Sequence, residues 1–242
     1  MELKPVVLVL ADISGYTRFI KFHRVSLVHA EHIIADLLES VMARATHPLV
    51  IHELEGDAVS LYALAEDRAA ATRSALAQVD GFFEAFRARE AELVSECSLC
   101  KCEACEKVGQ LKLKAVLHTG DAVFTRIRQF TKVAGEDVIL AHRLLKNTVP
   151  SDEYVLMTEP FVEACGGLPE RDLERRTERP EGLGAVTVFV EDRRREGPVT
   201  PAERSFWTKL RRFGQMEGYV LKRLLTRPGL PFRNLDPLRP ND

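Results

Sequence analysis

Hydrophobic residues in the first third of the chain alternate between strand-like runs and helical spacing. A continuous apolar run at residues 6–11 predicts a strand that is buried on both faces. Apolar residues at helical intervals over residues 27–45 predict an amphipathic helix. Short apolar stretches at 49–54 and 58–64, joined by the turn-prone residues 55–57, predict a hairpin. This part of the chain is therefore expected to form a strand, a helix and a hairpin in that order.

The second part of the chain extends this order. Helical spacing predicts a long helix at residues 66–96, with Gly81 as a weak point inside it, and another helix at residues 133–147. Strands are predicted at 111–119, 121–127, 154–157 and 185–190, with the first two paired around residues 118–120. The whole order predicts an α+β fold, with a ferredoxin-like, antiparallel-rich sheet that carries its helices on one face.

Composition places the chain among ordinary globular proteins. Its 242 residues are 45% hydrophobic, and the formal net charge of -2 offers no field that would attract nucleic acid or a membrane. No apolar run approaches the roughly 20 residues that a membrane span needs, and the acidic Asp12 directly after the first run is unlike a signal peptide. Four of the five cysteines lie in one segment, which is unlike a disulfide framework. We therefore expect a cytoplasmic protein without a nucleic acid partner.

The composition changes near Arg193, which divides the chain into a predicted domain at residues 1–195 and a basic arm at residues 196–242. Within the arm, residues 201–225 combine aromatic and aliphatic residues with an excess of arginine and lysine, a pattern that favours an amphipathic helix. Such a helix can cover its own domain or dimer, or it can bind a partner or an anionic membrane surface. A docked arm is the favoured interpretation, and contact with lipid is the alternative.

Two carboxylates follow predicted strand ends. Asp12 comes directly after the first strand, and Asp57 lies at the tip of the next hairpin, so both point to one site if strand and hairpin are neighbours. Close carboxylates repel each other unless a cation lies between them. Mg²⁺, bound by carboxylates and substrate phosphates, would supply that charge. The alternative is structural, with Asp12 as a helix cap and Asp57 as a turn residue.

Four short motifs, in order along the chain, resemble the catalytic domain of the class III adenylyl and guanylyl cyclases. The string DISGYT at residues 12–17 is similar to the motif that opens that domain, and EGD at 55–57 to the hairpin with its second metal-binding aspartate. HTG at 118–120 is similar to the family's His-x-Gly strand end, and residues 135–144 to its arginine-bearing helix. The Cys-rich insert at 97–105 resembles a divergent bacterial subfamily of unknown function.

The resemblance implies an enzyme that converts a purine nucleoside triphosphate (ATP or GTP) to the 3′,5′-cyclic monophosphate and pyrophosphate. It assigns Asp12 and Asp57 to two Mg²⁺ or Mn²⁺ ions that activate the ribose 3′-hydroxyl for in-line attack on the α-phosphorus. Arg143 takes the place of the arginine that neutralises charge on the α-phosphate. The implied nucleotide-binding residues are Ile13, Gly15, Tyr16, Thr17, Glu53 and Lys132. In these cyclases the metal and base contacts come from different subunits, so the resemblance also implies a homodimer.

Two features depart from the family pattern. Ile139 replaces the asparagine that contacts the ribose one helical turn before Arg143, and a misplaced hydroxyl lowers the rate by ~100-fold. Glu53 and Lys132 suit guanine, or adenine with their roles exchanged, or an ion pair that closes the pocket. The functional alternatives are therefore an active cyclase, a degenerate cyclase domain that senses a nucleotide, and a zinc-clipped scaffold with a partner-binding arm.

The Cys-rich insert places four thiols close together in sequence, at Cys97, Cys100, Cys102 and Cys105. Thiolates at such spacings suit a structural tetrahedral Zn²⁺ ion or, less often, an iron–sulfur cluster. Redox-active dithiols and inert thiols are the other interpretations.

Isolated histidines give weaker signals. His29 and His32 share a helix face but have no evident partner ligand, so we interpret them as packed or solvated side chains. His118 is expected to pack at the end of a strand.

Overall fold

The first apolar run forms the centre of the fold. In the computed structural model, which describes residues 1–20 and 24–225, the run belongs to strand β1 (Glu2–Ser14). β1 pairs antiparallel with β3 (Ala58–Leu64) on one side and with β4 (Lys112–Ile127) on the other. The run is buried on both faces, as its unbroken series of apolar residues predicts.

Five further strands complete the sheet. They are β2 (Val50–Glu55), β5 (Phe130–Ala134), β6 (Tyr154–Thr158), β7 (Glu174–Glu178) and β8 (Val186–Asp192). The eight strands have the order β2-β3-β1-β4-β6-β8-β7, and β5 pairs with β4 outside that path. Every pairing is antiparallel except that of β4 with β6. The predicted α+β, antiparallel-rich sheet is confirmed.

The helices cover both faces of this sheet. They are α1 (Tyr16–Ile20), α2 (Arg24–Met42), α3 (Arg68–Glu96), α4 (Glu103–Glu106), α5 (Glu136–Leu144), α6 (Glu159–Cys165) and α7 (Phe206–Leu225). α2, α3 and α6 share a core with Val7 and Val9, whereas α5 shares a core with Val6 and Leu8. The expectation that all helices lie on one face is therefore wrong. Successive side chains of β1 point to opposite faces of the sheet, and both sets are apolar. Each face therefore needs helices packed on it.

The chain passes straight through Gly120, because residues 112–127 form one strand and not the predicted pair. It reverses only after Ile127, where Arg128 adopts a left-handed φ of 55° and β5 returns along β4. Gly120 is needed for another reason: a Cβ atom there would overlap the carboxylate of Asp137 on α5. The glycine permits a close approach of helix and strand rather than a turn.

Asp137 joins three elements through hydrogen bonds. Its Oδ1 lies 3.0 Å from His118 Nε2, and its Oδ2 accepts the backbone N–H of Asp121 at 2.6 Å. The other ring nitrogen of His118 lies 2.8 Å from Thr158 Oγ1 on β6. We call this arrangement the His118–Asp137 latch, and it ties β4 to α5 and β6. His118 is buried, as expected, but it lies within β4 rather than at a strand end.

The C-terminal helix α7 contacts the helices beside the Cys-rich segment. Arg212 of α7 lies 2.7 Å from Asp36 of α2, and Arg204, just before α7, forms an ion pair with Glu92 of α3. These contacts agree with a docked arm, although Trp207 is 75% exposed.

The boundary between a domain at 1–195 and an arm at 196–242 stays a prediction, and residues 226–242 lie outside the described residues. Over the described ranges, none of the helices has the length and apolar character needed to cross a bilayer.

Replacing Gly120 by alanine tests the latch. The added methyl group would displace the Asp137 carboxylate, so Gly120→Ala should lower the free energy of unfolding by about 1–3 kcal/mol in urea titrations. Gly81→Ala is the matched control, because Gly81 lies within α3 with open space around it. Alanine at that position should raise stability by roughly 0.5–1 kcal/mol. A Gly120→Ala protein as stable as the wild type would contradict this role of the glycine.

Candidate functional site

β1 and the β2–β3 hairpin bring Asp12 and Asp57 together. Asp12 lies opposite Ala58 in the β1–β3 pairing, and the backbone N–H of Ile13 donates to the backbone oxygen of Asp57 at 3.1 Å. The two carboxyl groups are close enough for the charge of Asp12 to affect Asp57. They lie in a cavity of about 390 Å³ that is lined by Asp12, Ile13, Ser14, Gly15, Tyr16, Thr17, Asp57 and Lys114.

Two like charges at this position favour a bound proton or a bound cation. Burial and the neighbouring charge of Asp12 raise the pKa of Asp57 to about 7. A divalent cation between the carboxylates would cancel the repulsion and release that proton. Carboxylate oxygens are ligands that Mg²⁺ and Mn²⁺ accept readily. The residues present therefore fit a divalent cation.

Lys114 is a site residue that the sequence analysis missed. It faces Asp12 in the β1–β4 pairing, and its Nζ lies 2.9 Å from Asp12 Oδ2. The same ammonium group donates to the carbonyl oxygen of Leu145, just after α5, at 3.2 Å. Burial lowers the pKa of Lys114, but the charge of Asp12, the hydrogen bond to it and the nearby Tyr154 and Asp57 together raise it. One signal was available: Lys112 and Lys114 alternate with apolar residues, which places both lysines on one face of β4.

The loop that follows β1 closes one side of the cavity. Gly15 and Gly56 adopt left-handed φ angles of 91° and 61°, which suit glycine at both turns. The Tyr16 ring lies 3.9 Å from the position that a Cβ of Gly56 would occupy, so the loop contacts the hairpin tip that carries Asp57. The predicted nucleotide-binding residues of this loop thus share one cavity with both aspartates.

Arg143, Glu53 and Lys132 lie outside this cavity. Arg143 is on α5, and its guanidinium lies 3.9 Å from Glu181. Glu53 is exposed on the edge strand β2, and Lys132 is exposed on β5. Within one protomer, over residues 1–20 and 24–225, these two residues form no ion pair with each other. A single chain therefore does not bring all the predicted nucleotide contacts together.

A second cluster forms where the Cys-rich segment meets α2. His29 Nδ1 lies 3.2 Å from Cys102 Sγ, 3.5 Å from Cys100 Sγ and 3.8 Å from Cys105 Sγ. All four ligand atoms lie within 4.8 Å of one another, and such a set can hold a metal ion such as zinc. Cys97 is not in this set, although its thiol lies next to that of Cys105.

The interpretation of His29 as a packed or solvated side chain overlooked its sulfur neighbours. His29 lies 71 residues before Cys100, so no local spacing connects the two. Only the packing of α2 against the Cys-rich segment makes the histidine part of the cluster.

Comparison with protein families finds relatives without a described function. A family model described as "Protein of unknown function (DUF2652)" matches residues 34–154. The "Uncharacterized protein Rv2561/Rv2562" of Mycobacterium tuberculosis is 30% identical over 193 residues, which cover 79% of this chain and 89% of the relative.

Solved structures with the same architecture include nucleotide cyclases. The adenylyl cyclase CyaB from P. aeruginosa superposes with a TM-score of 0.61 at 14% identity, over 81% of this chain and 98% of that chain. The guanylate cyclase domain of RhGC from Catenaria anguillulae, solved in complex with GTP, superposes with a TM-score of 0.55 at 10% identity, over 81% and 100% of the two chains. The present chain therefore has the class III cyclase fold, and the resemblance seen in its motifs is confirmed.

Binding of Mn²⁺ should depend on pH, because Asp57 must lose its proton to become a ligand. The raised pKa of Asp57 means that the apparent affinity should fall by about tenfold for each pH unit below about 7. Titration calorimetry about one unit below and one unit above that pH measures the change. Asp57→Asn should bind Mn²⁺ weakly at both values.

Stability without a cation should change in the opposite sense. The pKa of Asp57 is higher in the folded protein than its ordinary value, so the folded state holds the extra proton and stability decreases as the pH rises toward about 7. Asp57→Asn should lack this decrease.

In the Mn²⁺ titrations, an affinity that is equal below and above pH 7 would contradict the role of Asp57 as a ligand.

Proposed function

This chain belongs to the DUF2652 family of proteins of unknown function, and we propose that it acts as a class III nucleotide cyclase. The proposed reaction converts a purine nucleoside triphosphate to the 3′,5′-cyclic monophosphate and pyrophosphate. The observation that carries the proposal is the Asp12–Asp57 pair, which the fold holds together in an open cavity.

Mg²⁺ or Mn²⁺ would be held by Asp12 and Asp57. When bound, such an ion supplies the positive charge that binds the triphosphate and favours ionisation of the ribose 3′-hydroxyl. Lys114 stabilises the charge of Asp12 from the opposite strand and adds a positive group to the wall of the cavity. Gly15 lets the chain turn there, so that Tyr16 and Thr17 line the cavity as well.

A homodimer would complete the site. Arg143, Glu53 and Lys132 lie outside the aspartate cavity, so a second copy would have to present its own residues to it. Exposed apolar side chains lie on the strands of the two proposed base-contact residues or next to them: Val50, Ile51 and Leu54 on β2, Phe130 on β5, and Ile127 at the end of β4. Burial of this surface against a second copy would bring the two halves of the site together and remove apolar area from water.

We propose GTP as the substrate. Glu53 would accept hydrogen bonds from N1–H and the 2-amino group of guanine, and Lys132 would donate to O6. With the two roles exchanged, the same side chains would suit adenine, so ATP is the competing substrate.

A nucleotide sensor without turnover is the second candidate, and Ile139 favours it. This side chain is 50% exposed on α5, one helical turn before Arg143, where the resemblance implies a contact with ribose. A hydrocarbon side chain makes no hydrogen bond that could orient the attacking hydroxyl. The protein would then bind the nucleotide and metal and return the nucleotide unchanged.

Incubation of the purified chain with GTP or ATP and Mn²⁺ distinguishes the two candidates. Chromatography should show cyclic GMP with an equal amount of pyrophosphate, and Asp57→Ala should reduce the rate by at least about 100-fold. Unchanged GTP and ATP, together with metal-dependent nucleotide binding, would support the sensor instead.

Mixing two inactive variants tests whether the site is shared between subunits. Asp57→Ala and Arg143→Ala should each be inactive alone. A mixed dimer of these chains carries one intact site and one doubly altered site, so free exchange should restore about a quarter of the wild-type rate. No recovery, with subunit exchange verified by native mass spectrometry, would contradict a site built from two copies.

A further inference from the structure

The connection between α3 and β4 carries chemistry that the proposed nucleotide reaction does not use. We propose that His29, Cys100, Cys102 and Cys105 bind a single zinc ion and that Cys97 lies outside its coordination shell. The site is separate from the aspartate cavity, so the proposal is independent of nucleotide turnover.

The distances agree with a tetrahedral ion. With Zn–S distances of about 2.3 Å and a Zn–N distance of about 2.0–2.1 Å, a sulfur and a nitrogen ligand lie about 3.5 Å apart and two sulfurs about 3.8 Å. The observed separations from His29 Nδ1 are 3.2, 3.5 and 3.8 Å, and all four ligand atoms lie within 4.8 Å of one another. Small side-chain adjustments would therefore place the four ligands around one ion.

The ligand types and their burial favour zinc over other ions. His29, Cys100 and Cys105 are 1%, 8% and 6% exposed. Three thiolates and one imidazole are ligands for zinc rather than for Mg²⁺ or Ca²⁺, which prefer oxygen. A cluster of several irons needs ligands spread around a larger core than this compact set encloses. Four protein ligands leave no open position, which is typical of a structural site.

Cys97 lies beside the four proposed zinc ligands but is not one of them. It begins a 3₁₀ turn at residues 97–99, which continues α3, and its thiol lies next to that of Cys105. A neighbouring polar group of this kind can orient a metal ligand without binding the ion. The segment from Cys97 to Cys105 contains no glycine that would help all four thiols wrap around one ion. His29 supplies the fourth ligand from α2 and makes that tight turn unnecessary.

An ion at this position would fasten distant parts of the chain to each other. His29 lies 71 residues before Cys100, so coordination closes a long loop, and zinc binding would add directly to folding stability. The same connection reaches the aspartate cavity, because a Cβ at Gly15 would lie 3.7 Å from the carbonyl oxygen of Gln110. Removal of zinc should therefore lower the melting temperature and loosen the loop that lines the cavity.

Metal analysis of the full chain is the first test. Protein expressed with zinc in the medium and passed through a weak chelator should retain one zinc per chain by plasma mass spectrometry. Asp57→Asn, which alters only the aspartate cavity, should retain the same amount. A wild-type protein that holds no metal, or that holds iron and absorbs visible light, would overturn the proposal.

Variants then decide the ligand set. His29→Ala and Cys102→Ser should each weaken zinc binding by more than about 100-fold, a larger loss than removal of a supporting group causes. Cys97→Ser and the distant Cys165→Ser are the matched controls and should keep one zinc per chain. Loss of zinc in Cys97→Ser with retention in His29→Ala would overturn the assignment and favour four cysteines.

Cobalt substitution keeps the test informative if a variant fails to fold. Co²⁺ in a tetrahedral site absorbs visible light, and the intensity of its sulfur-to-metal charge-transfer band follows the number of thiolate ligands. Cys97→Ser should leave that band unchanged, whereas His29→Cys should keep the ion and increase the band by about one third. A weaker band in Cys97→Ser would show that Cys97 is a ligand.

Discussion

The placement of two carboxylates side by side is the constraint on which the candidate site depends. Seven consecutive β1–β3 register pairs, together with the backbone bond from Ile13 to Asp57, hold Asp12 and Asp57 at one end of the central strand. Burial and the repulsion between them raise the pKa of Asp57. Lys114 offers one positive charge to the pair, which leaves room for a divalent cation to balance the second carboxylate and a bound anion. A fold that maintains this arrangement without a cation does so at a cost in stability.

The remaining candidate residues do not line the cavity that holds that pair. α5 packs on the face opposite to α2 and α3, and the His118–Asp137 latch fixes the start of α5 on β4. Arg143 does not line the aspartate cavity of its own chain. This placement agrees with the proposed site shared between two copies. Lys114 joins the aspartate pair to the end of α5, because its ammonium group contacts both Asp12 and the carbonyl oxygen of Leu145.

Local sequence patterns correctly predicted the elements that are determined by residues close together in the sequence. The apolar run of β1, the hairpin tip at Asp57 and the long helix through Gly81 all lie where the sequence pattern placed them. Gly120 was misinterpreted because a glycine that makes room for a helix looks, in sequence, like one that makes a turn.

Residues that act across the fold were harder to predict. Lys114 becomes part of the site only through the register of β1 with β4, and His29 joins the cysteines only through the packing of α2. The motif resemblance identified Asp12 and Asp57 as a pair, because both belong to short strings whose order along the chain is itself informative. No such string contains His29, and pairing with distant thiols leaves no trace in the local sequence.

Thermal unfolding of the full chain with GTP and, separately, with ATP, recorded with Mn²⁺ and again with EDTA in its place, tests the central claim most directly. A cation site formed by Asp12 and Asp57 predicts a rise in Tm with GTP concentration that requires Mn²⁺ and is absent in Asp12→Asn. A rise of the same size in EDTA, or no rise with either purine triphosphate in Mn²⁺, would contradict the assignment of this cavity to a metal-bound nucleotide.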